Sequence, residues 1–374
     1  MTRPRLLIRR LHLWLGLSLG VLLVVLGFTG SALVFYVGID EVLHPPARSR
    51  TDVPGPGWVS PIWDRAVATG RARWPDPAGT WSLEVTGAGG AIPARYYPAS
   101  EHHDHHAERL MVWFAADGGR IVRADPWGGY LMSWLYEVHM HLLAGEGGRL
   151  VVGWGGAASL LLLLSGVVAW WPRGSWRKAL ALKRRAAPIR RVRDLHKLTG
   201  VGSAALLLVV VATGVLLALP EVKAALRFPA SPPDPRSAAA TGVQIPVARA
   251  LAAARQAVPD GRLAFIDVPG AGDAPFRVRL AVPGDPHRRF PSSYVWIDQH
   301  SGRVLAVRDL RSGGTGATLS AWIRPLHDGS VGGLPIRIVA VLVGLMPAVL
   351  FATGLLHWRR RRAARTLALS RMTT

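Results

Sequence analysis

No cysteine occurs anywhere in the 374 residues. That absence excludes disulfides, iron–sulfur clusters, thiolate-ligated haem and cysteine-type zinc sites together, so any metal chemistry must rest on histidine and carboxylates. Acidic residues are scarce as well: 23 Asp and Glu stand against 45 Lys and Arg, a formal net charge of +22. Charge of either sign is nearly absent from the four long apolar runs, which leaves no polar path for an ion through them. A reading as a metal transporter or sensor is correspondingly the weakest of those the chain offers.

Half of the residues are hydrophobic, and they are clustered rather than spread in core-like periodicities. Runs of about 20 apolar residues suit a bilayer, not a soluble core. Four such runs are present: Leu11–Val37, Leu150–Trp171, Leu198–Leu219 and Ile336–His357. The positive charge flanks them, at Arg3 to Arg10, between Arg173 and Arg193, and at Arg359 to Arg362. That distribution is the positive-inside pattern and removes the nucleic-acid reading that a +22 charge would otherwise invite. The first run is too long for a signal peptide and has no A-x-A site after it, so a retained helix is expected. Both termini are then cytoplasmic, and Trp170 and Trp171 sit at an interface.

Two polar stretches separate the runs. In the first, Val59–Arg73 reads as a helix, and Trp81–Val85, Ala94–Tyr97, Met111–Ala115 and Ile121–Val122 read as strands, with a hairpin turn at Asp117-Gly118-Gly119. In the second, a helix at Val247–Ala257 precedes strands at Leu263–Val268, Phe276–Ala281, Tyr294–Ile297 and Arg303–Val307. Each half of the chain thus reads helix, outside domain, helix, and the chain is an internal duplication. The fold class expected is an α-helical membrane protein: a four-helix bundle carrying two small α+β domains. The divisions are a cytoplasmic N-terminus with the first span (1–37), the first outside domain (38–136) and a histidine segment with the second span (137–171). A basic cytoplasmic loop (172–195), the third span (196–219) and the second outside domain (220–325) follow. A histidine segment with the fourth span (326–357) and a basic cytoplasmic tail (358–374) complete the chain.

The seams of the duplication agree in detail. Leu11-His12 with Gly16 matches Leu195-His196 with Gly200, and Trp134 with His139 matches Trp322 with His327. His12 and His196 therefore fall at the inner ends of the first and third spans, His139 and His327 at the outer ends of the second and fourth. Imidazole is the commonest metal ligand and a standard axial ligand of haem iron. Two opposed imidazoles in a bundle can clamp a porphyrin, and one pair on each side would hold two haems. His141 stands as the alternative to His139, and His357 as an alternative to His12 or His196. Gly16, Gly20, Gly27, Gly30, Gly153, Gly155, Gly156, Gly200 and Gly202 either admit a porphyrin face or serve plain helix packing. His102, His103, His105 and His106 form a separate tract that is either a loose metal site or a solvated loop. Asp40, Glu41 and Glu137 lie where a ferric substrate would arrive. No catalytic residue is assigned.

Several motifs carry a resemblance. Leu11-His12-Leu13-Trp14-Leu15-Gly16, followed by an apolar helix ending Thr29-Gly30, resembles the opening of PepSY-associated transmembrane proteins. His139 with Gly145-Glu146 and Gly148-Arg149, Asp194-Leu195-His196-Lys197 with Gly200, and His327-Asp328-Gly329 with Gly332-Gly333-Leu334-Pro335 fit the same family. The hairpins Trp113–Val122 and Trp296–Leu305 look like those of PepSY domains. The resemblance implies a bacterial inner-membrane protein with periplasmic PepSY domains, and iron-regulated members of that family include haem-containing ferric-siderophore reductases. It implies two haem b groups on His12, His196, His139 and His327, and ferric siderophore or another ferric chelate as substrate. His357-Trp358 departs from the aromatic or apolar pair expected at the end of the fourth span. No flavin- or nicotinamide-binding domain is read, so a quinol or a cytoplasmic reductase is the expected donor. The competing expectation is non-enzymatic: a membrane-anchored protein whose PepSY domains bind or regulate a periplasmic partner, with dispensable histidines.

Overall fold

In a computed structural model of the chain, the structure describes residues 3–99, 109–172, 174–181, 187–229, 233–238 and 242–370. In chain order the helices are α1 (Arg3–Leu33), α2 (Tyr36–Leu43), α3 (Ile62–Arg73), α4 (Leu131–His141), α5 (Gly145–Trp170), α6 (Trp176–Leu180), α7 (Pro188–Ala218), α8 (Pro220–Ala225), α9 (Val247–Ala257), α10 (Gly314–Asp328) and α11 (Gly333–Ser370). The strands are β1 (Ser49–Pro54), β2 (Thr80–Glu84), β3 (Ala88–Gly90), β4 (Ile92–Tyr97), β5 (Leu110–Phe114), β6 (Ile121–Pro126), β7 (Arg262–Val268), β8 (Phe276–Ala281), β9 (Ser293–Ile297) and β10 (Val304–Arg308). They gather into two compact units, one from residues 1–34, 135–225 and 326–374, the other from 35–134 and 226–325.

The first unit is the helical one. Four helices are long and apolar enough to cross a membrane: Pro4–Leu33, Gly145–Trp170, Pro188–Ala218 and Ser330–Ala364. α1 packs against α5 and α11, and α7 packs against the same two, so α1 and α7 stand on one diagonal and α5 and α11 on the other. Leu7, Trp14, Val21 and Phe28 repeat every second turn of α1 and are more than half exposed, the apolar stripe that a lipid-facing helix presents. On its packed side, Gly27 meets the backbone of Gly344, and Ser31 Oγ donates to the Val341 carbonyl at 3.1 Å. Close backbone approach through small residues is how helices associate where no hydrophobic drive exists between them.

Helix ends in a membrane leave carbonyls that water does not reach. Here arginines from neighbouring helices take them. Arg5 of α1 donates to the Trp171 carbonyl just past α5, Arg149 of α5 to the Ala218 carbonyl of α7, and Arg337 of α11 to the Val34 carbonyl just past α1. A guanidinium at a helix C-terminus also meets the negative end of the dipole.

The second unit departs from the expectation of two separate small domains. Its eight main strands form a single sheet in the order β10-β9-β8-β7-β2-β4-β5-β6, with β1 and β3 forming a small two-stranded sheet. The join is β2 with β7, antiparallel, pairing Trp81 with Val268 and Leu83 with Ile266. Neither group of four strands covers enough apolar surface alone, and each would leave an unpaired edge. α3 and α9 cover one face over a common core that includes Trp63, Trp81, Leu83, Leu251, Ile266 and Phe276. Asp64 of α3 accepts from the Val247 and Ala248 amides at 2.7 and 3.2 Å, so a carboxylate from one half caps the α9 N-terminus in the other.

On the opposite face the two halves are tied by charge. Glu84 of β2, almost fully buried, receives Arg289 at 2.6 Å and Arg95 at 3.3 Å. Burial pushes the Glu84 carboxyl up, but the charges and hydrogen bonds of Arg289 and Arg95 outweigh it and hold it below its ordinary value. Its contribution is therefore complete above the usual carboxylate range and is lost as the pH falls through the depressed value. Removing one partner of a buried ion pair costs about 3–5 kcal/mol. Glu84→Ala is accordingly expected to lower the thermal unfolding temperature of the solubilised chain at neutral pH, followed by tryptophan fluorescence, with a smaller difference from the parent at pH 3.

Candidate functional site

Four of the histidines in the helical unit come together two by two. His12 of α1 and His196 of α7 face each other with ring centroids 6.2 Å apart and planes at 74°. His139 of α4 and His327 of α10 do the same, at 6.2 Å and 53°. Two imidazole nitrogens bound to one metal, each at about 2.1 Å, are about 4 Å apart, and adding both ring radii brings the centroid spacing to about 6 Å. Both pairs match that spacing.

Each imidazole is held from behind in the same manner. His12 Nδ1 lies 3.1 Å from the Leu162 carbonyl and 3.2 Å from Ser165 Oγ of α5. His196 Nδ1 lies 3.0 Å from both the Leu350 carbonyl and Thr353 Oγ1 of α11. His327 Nδ1 lies 2.9 Å from the Val210 carbonyl and 3.3 Å from Thr213 Oγ1 of α7. His139 Nδ1 lies 3.0 Å from Thr29 Oγ1 of α1, with the Leu26 carbonyl also in reach. A carbonyl only accepts, and each hydroxyl already donates to a carbonyl of its own helix. Nδ1 must therefore carry the proton at all four sites, which leaves the lone pair on Nε2. Backing of this kind fixes tautomer and ring rotation in metal-ligating histidines.

A glycine follows every one of these hydroxyl residues, and its bare Cα is the floor on which the imidazole lies. A Cβ on Gly30 would come within 2.8 Å of His139 Cε1, on Gly166 within 2.8 Å of His12, on Gly214 within 2.9 Å of His327 and on Gly354 within 3.3 Å of His196. Four copies of a hydroxyl residue followed by glycine, three residues after the accepting carbonyl, thus receive four histidines. Sequence reasoning did not connect Ser165, Thr353, Thr29 or Thr213 with the histidines they hold. Their signal was present but not unique, since Thr-Gly or Ser-Gly occurs once in three of the apolar runs and twice in the third, at Thr199-Gly200 and Thr213-Gly214.

The other glycines divide. Gly20 packs on Phe351, Gly27 on Gly344, Gly153 on Leu219, Gly155 on Leu22 and Gly156 on Val215, all plain helix packing. Gly16 and Gly200 differ. They sit one turn from His12 and His196 on the same helix faces, and a Cβ there would meet only Leu162 at 3.7 Å or Leu350 at 3.5 Å. Gly202 has nothing within 4 Å. A methyl group would therefore fit beside the imidazoles of His12 and His196, and paired neutral imidazoles are a donor set that suits haem iron.

The remaining candidates fall elsewhere. His141 Nδ1 is bound to Glu137 at 2.7 Å, one turn back on α4, and pairs with no second imidazole. His357 of α11 lies against the start of α7, by Ile189 and Arg193, and its Nδ1 is buried without a hydrogen-bond partner. His102, His103, His105 and His106 lie outside the described residues. Among the described residues no cluster of three or more His, Asp or Glu is arranged to hold a metal ion. Of the acidic candidates, Asp40 is committed to Arg123 at 2.8 Å and Glu41 accepts from Ser49. Tyr36 and Tyr130 share a short hydrogen bond between their hydroxyls, and burial raises both above the ordinary phenol value.

Comparison with known proteins yields a family model described as the PepSY-associated TM region, which matches residues 9–361. No curated protein matches the chain.

Proposed function

Since the chain belongs to the PepSY-associated TM family and is a membrane protein with four apolar spans, we propose that it is an inner-membrane electron-transfer protein that holds two haem b groups and delivers electrons to ferric iron in an external chelate. The observation that carries this reading is the pair of facing imidazoles, repeated at two levels with identical backing. His12 and His196 would hold one haem, His139 and His327 the other. Bis-imidazole haem b supplies a one-electron iron couple in a water-poor setting.

The chain's own part is to present four neutral imidazoles in one tautomer, to keep water from them with lipid-facing leucines, and to space the two levels. His12 and Thr29, the seat of His139, lie about 25 Å apart along α1. His196 and Thr213, the seat of His327, have the same separation on α7. The flanking arginines favour cytoplasmic termini, with the sheet-bearing unit in the periplasm. The repeated helix–strands–helix order, and a sheet whose second half mirrors its first about the β2–β7 join, favour an origin by duplication. The donor is a quinol or a cytoplasmic reductase. Each ferric ion takes one electron, so a two-electron quinol serves two chelates.

The test is a dithionite-reduced minus oxidised spectrum of the purified full chain, with haem and iron quantified against protein. Sharp b-type bands and two haems per chain are expected. Absence of haem bands after expression with ample haem would leave the second reading: four spans anchoring a partner-binding PepSY unit.

A further inference from the structure

One face of the eight-stranded sheet is covered by α3 and α9; the other carries an ordered array of cations and rings. Strand register sets it out. Glu84 of β2 lies opposite Phe265 of β7, Phe265 opposite Arg279 of β8, Arg279 opposite Tyr294 of β9, and Tyr294 opposite Arg308 of β10. Residues directly opposed in a sheet project to the same side, so this is one continuous row. Arg277, two positions from Arg279, opens the next row opposite Trp296.

The guanidinium groups lie within cation–π range of the rings. Arg279 lies 5.0 Å from the Tyr294 centroid and 5.8 Å from those of Phe265 and Phe290, while Arg324 of α10 lies 4.8 Å from Phe290. A guanidinium beside a ring can still offer N–H groups to carboxylate or catecholate oxygens; Arg279 already uses two of its nitrogens within the face, whereas Arg324 is exposed.

Charge balance across the face is incomplete. Arg277 is neutralised by Asp267 at 2.7 Å and Asp234 at 3.2 Å, and Glu84 serves Arg289 and Arg95. Arg279 finds only neutral acceptors, the Pro291 carbonyl at 2.6 Å and the Tyr294 hydroxyl at 2.5 Å. Among the described residues, neither Arg279 nor Arg324 has a carboxylate at ion-pair distance. Burial, and after it the charges of Arg277 and Arg324, bring the Arg279 guanidinium below its ordinary value against the opposing pull of Tyr294 and Asp267. Cations crowded on rings with too few carboxylates form a seat for a multiply charged anion.

We propose that this arginine–aromatic face binds the iron chelate and selects anionic chelates, of the catecholate or carboxylate class, over uncharged ones. The assignment rests on the ferric-chelate reading above and adds the charge class of the substrate. The test uses the full chain in detergent with gallium(III) complexes, which have no accessible reduced state, so that binding is read apart from electron transfer. Quenching of tryptophan fluorescence would be titrated with a trianionic gallium tris-catecholate and with an uncharged gallium trihydroxamate.

The anionic complex is expected to bind at least tenfold more tightly, with affinity falling as salt rises. Arg324→Gln and Arg279→Gln are each expected to weaken it several-fold and the double variant at least tenfold, with Arg324→Lys regaining part of the loss. Arg324 is exposed and makes only a ring contact, so its variant keeps the fold if Arg279→Gln does not. Equal affinity for the two complexes, or an unchanged affinity in Arg324→Gln and the double variant, would overturn the assignment. A normal haem spectrum in that same preparation would leave the electron-transfer reading standing.

Discussion

Replacement of His196 by alanine is expected to halve the haem bound by the purified chain. His196 and His12 present Nε2 to one space from opposite corners of the bundle, with centroids 6.2 Å apart. Alanine leaves His12 alone, and with one of its two anchoring imidazoles gone that haem is expected to be lost on purification. The other level has its own ligands and its own backing hydroxyls, Thr29 and Thr213, and should keep its haem. His327→Ala is expected to produce the complementary loss, so that the reduced-minus-oxidised spectra of the two variants add up to that of the parent. The double variant should carry no haem and still unfold cooperatively. His141→Ala is the control, because its partner is Glu137 and not another ring; both haems should persist. Haem quantification against protein and a redox titration resolving one component or two provide the measurement.

Gly30→Val should empty the outer level while leaving the inner one filled. A Cβ at Gly30 would stand 2.8 Å from His139 Cε1, closer than carbon atoms approach. The imidazole must then leave Thr29, and Nε2 no longer points at His327. Valine is a better helix former than glycine in a helix interior, so α1 itself is not weakened by the exchange and the effect is confined to the seat. Gly214→Val acts on His327 from the third span in the same way, with a contact at 2.9 Å. Gly38→Val, where nothing lies within 4 Å of the added atom, should leave the spectrum of the parent unchanged. The expected result is one haem per chain in the first two variants and two in the third. A full complement in Gly30→Val would mean that His139 does not ligate in this orientation.

Much of the local structure follows from periodicity. α9 and β8 run over the same residues as the patterns Val247–Ala257 and Phe276–Ala281, because an apolar stripe at helical spacing and a strict alternation each admit one conformation. Each of the four apolar runs is mainly one helix that starts before the run, as α1 does at Arg3 and α7 at Pro188, since arginine stems extend a helix while their charges reach water; the first run breaks after Leu33, and Tyr36 opens α2. What lay beyond local pattern was long-range. Nothing in the composition of Thr80–Glu84 and Arg262–Val268 says that these two strands pair, so two domains were the natural reading and one sheet is the outcome. α4 and α10 were not read as helices, yet they carry His139 and His327. The choice between His139 and His141 was open in the sequence, although Glu137, one helical turn before His141, was the clue that His141 was already engaged. Ser165, Thr213 and Thr353 drew no reading from the sequence, and Thr29 only as the end of a motif, because their contact with an imidazole from another helix is long-range.

The union of β2 with β7 has a consequence for how the molecule is made. β2 ends at Glu84, and β7 begins at Arg262. Two membrane crossings, α5 and α7, lie between them. At synthesis rates of about 5–20 residues per second, β2 waits roughly 10–35 s for its partner. Throughout that interval its hydrogen-bonding rim is open to any passing extended chain. Assembly of the sheet therefore waits on synthesis of the middle spans, and a delay there is where nascent chains of this protein would go astray.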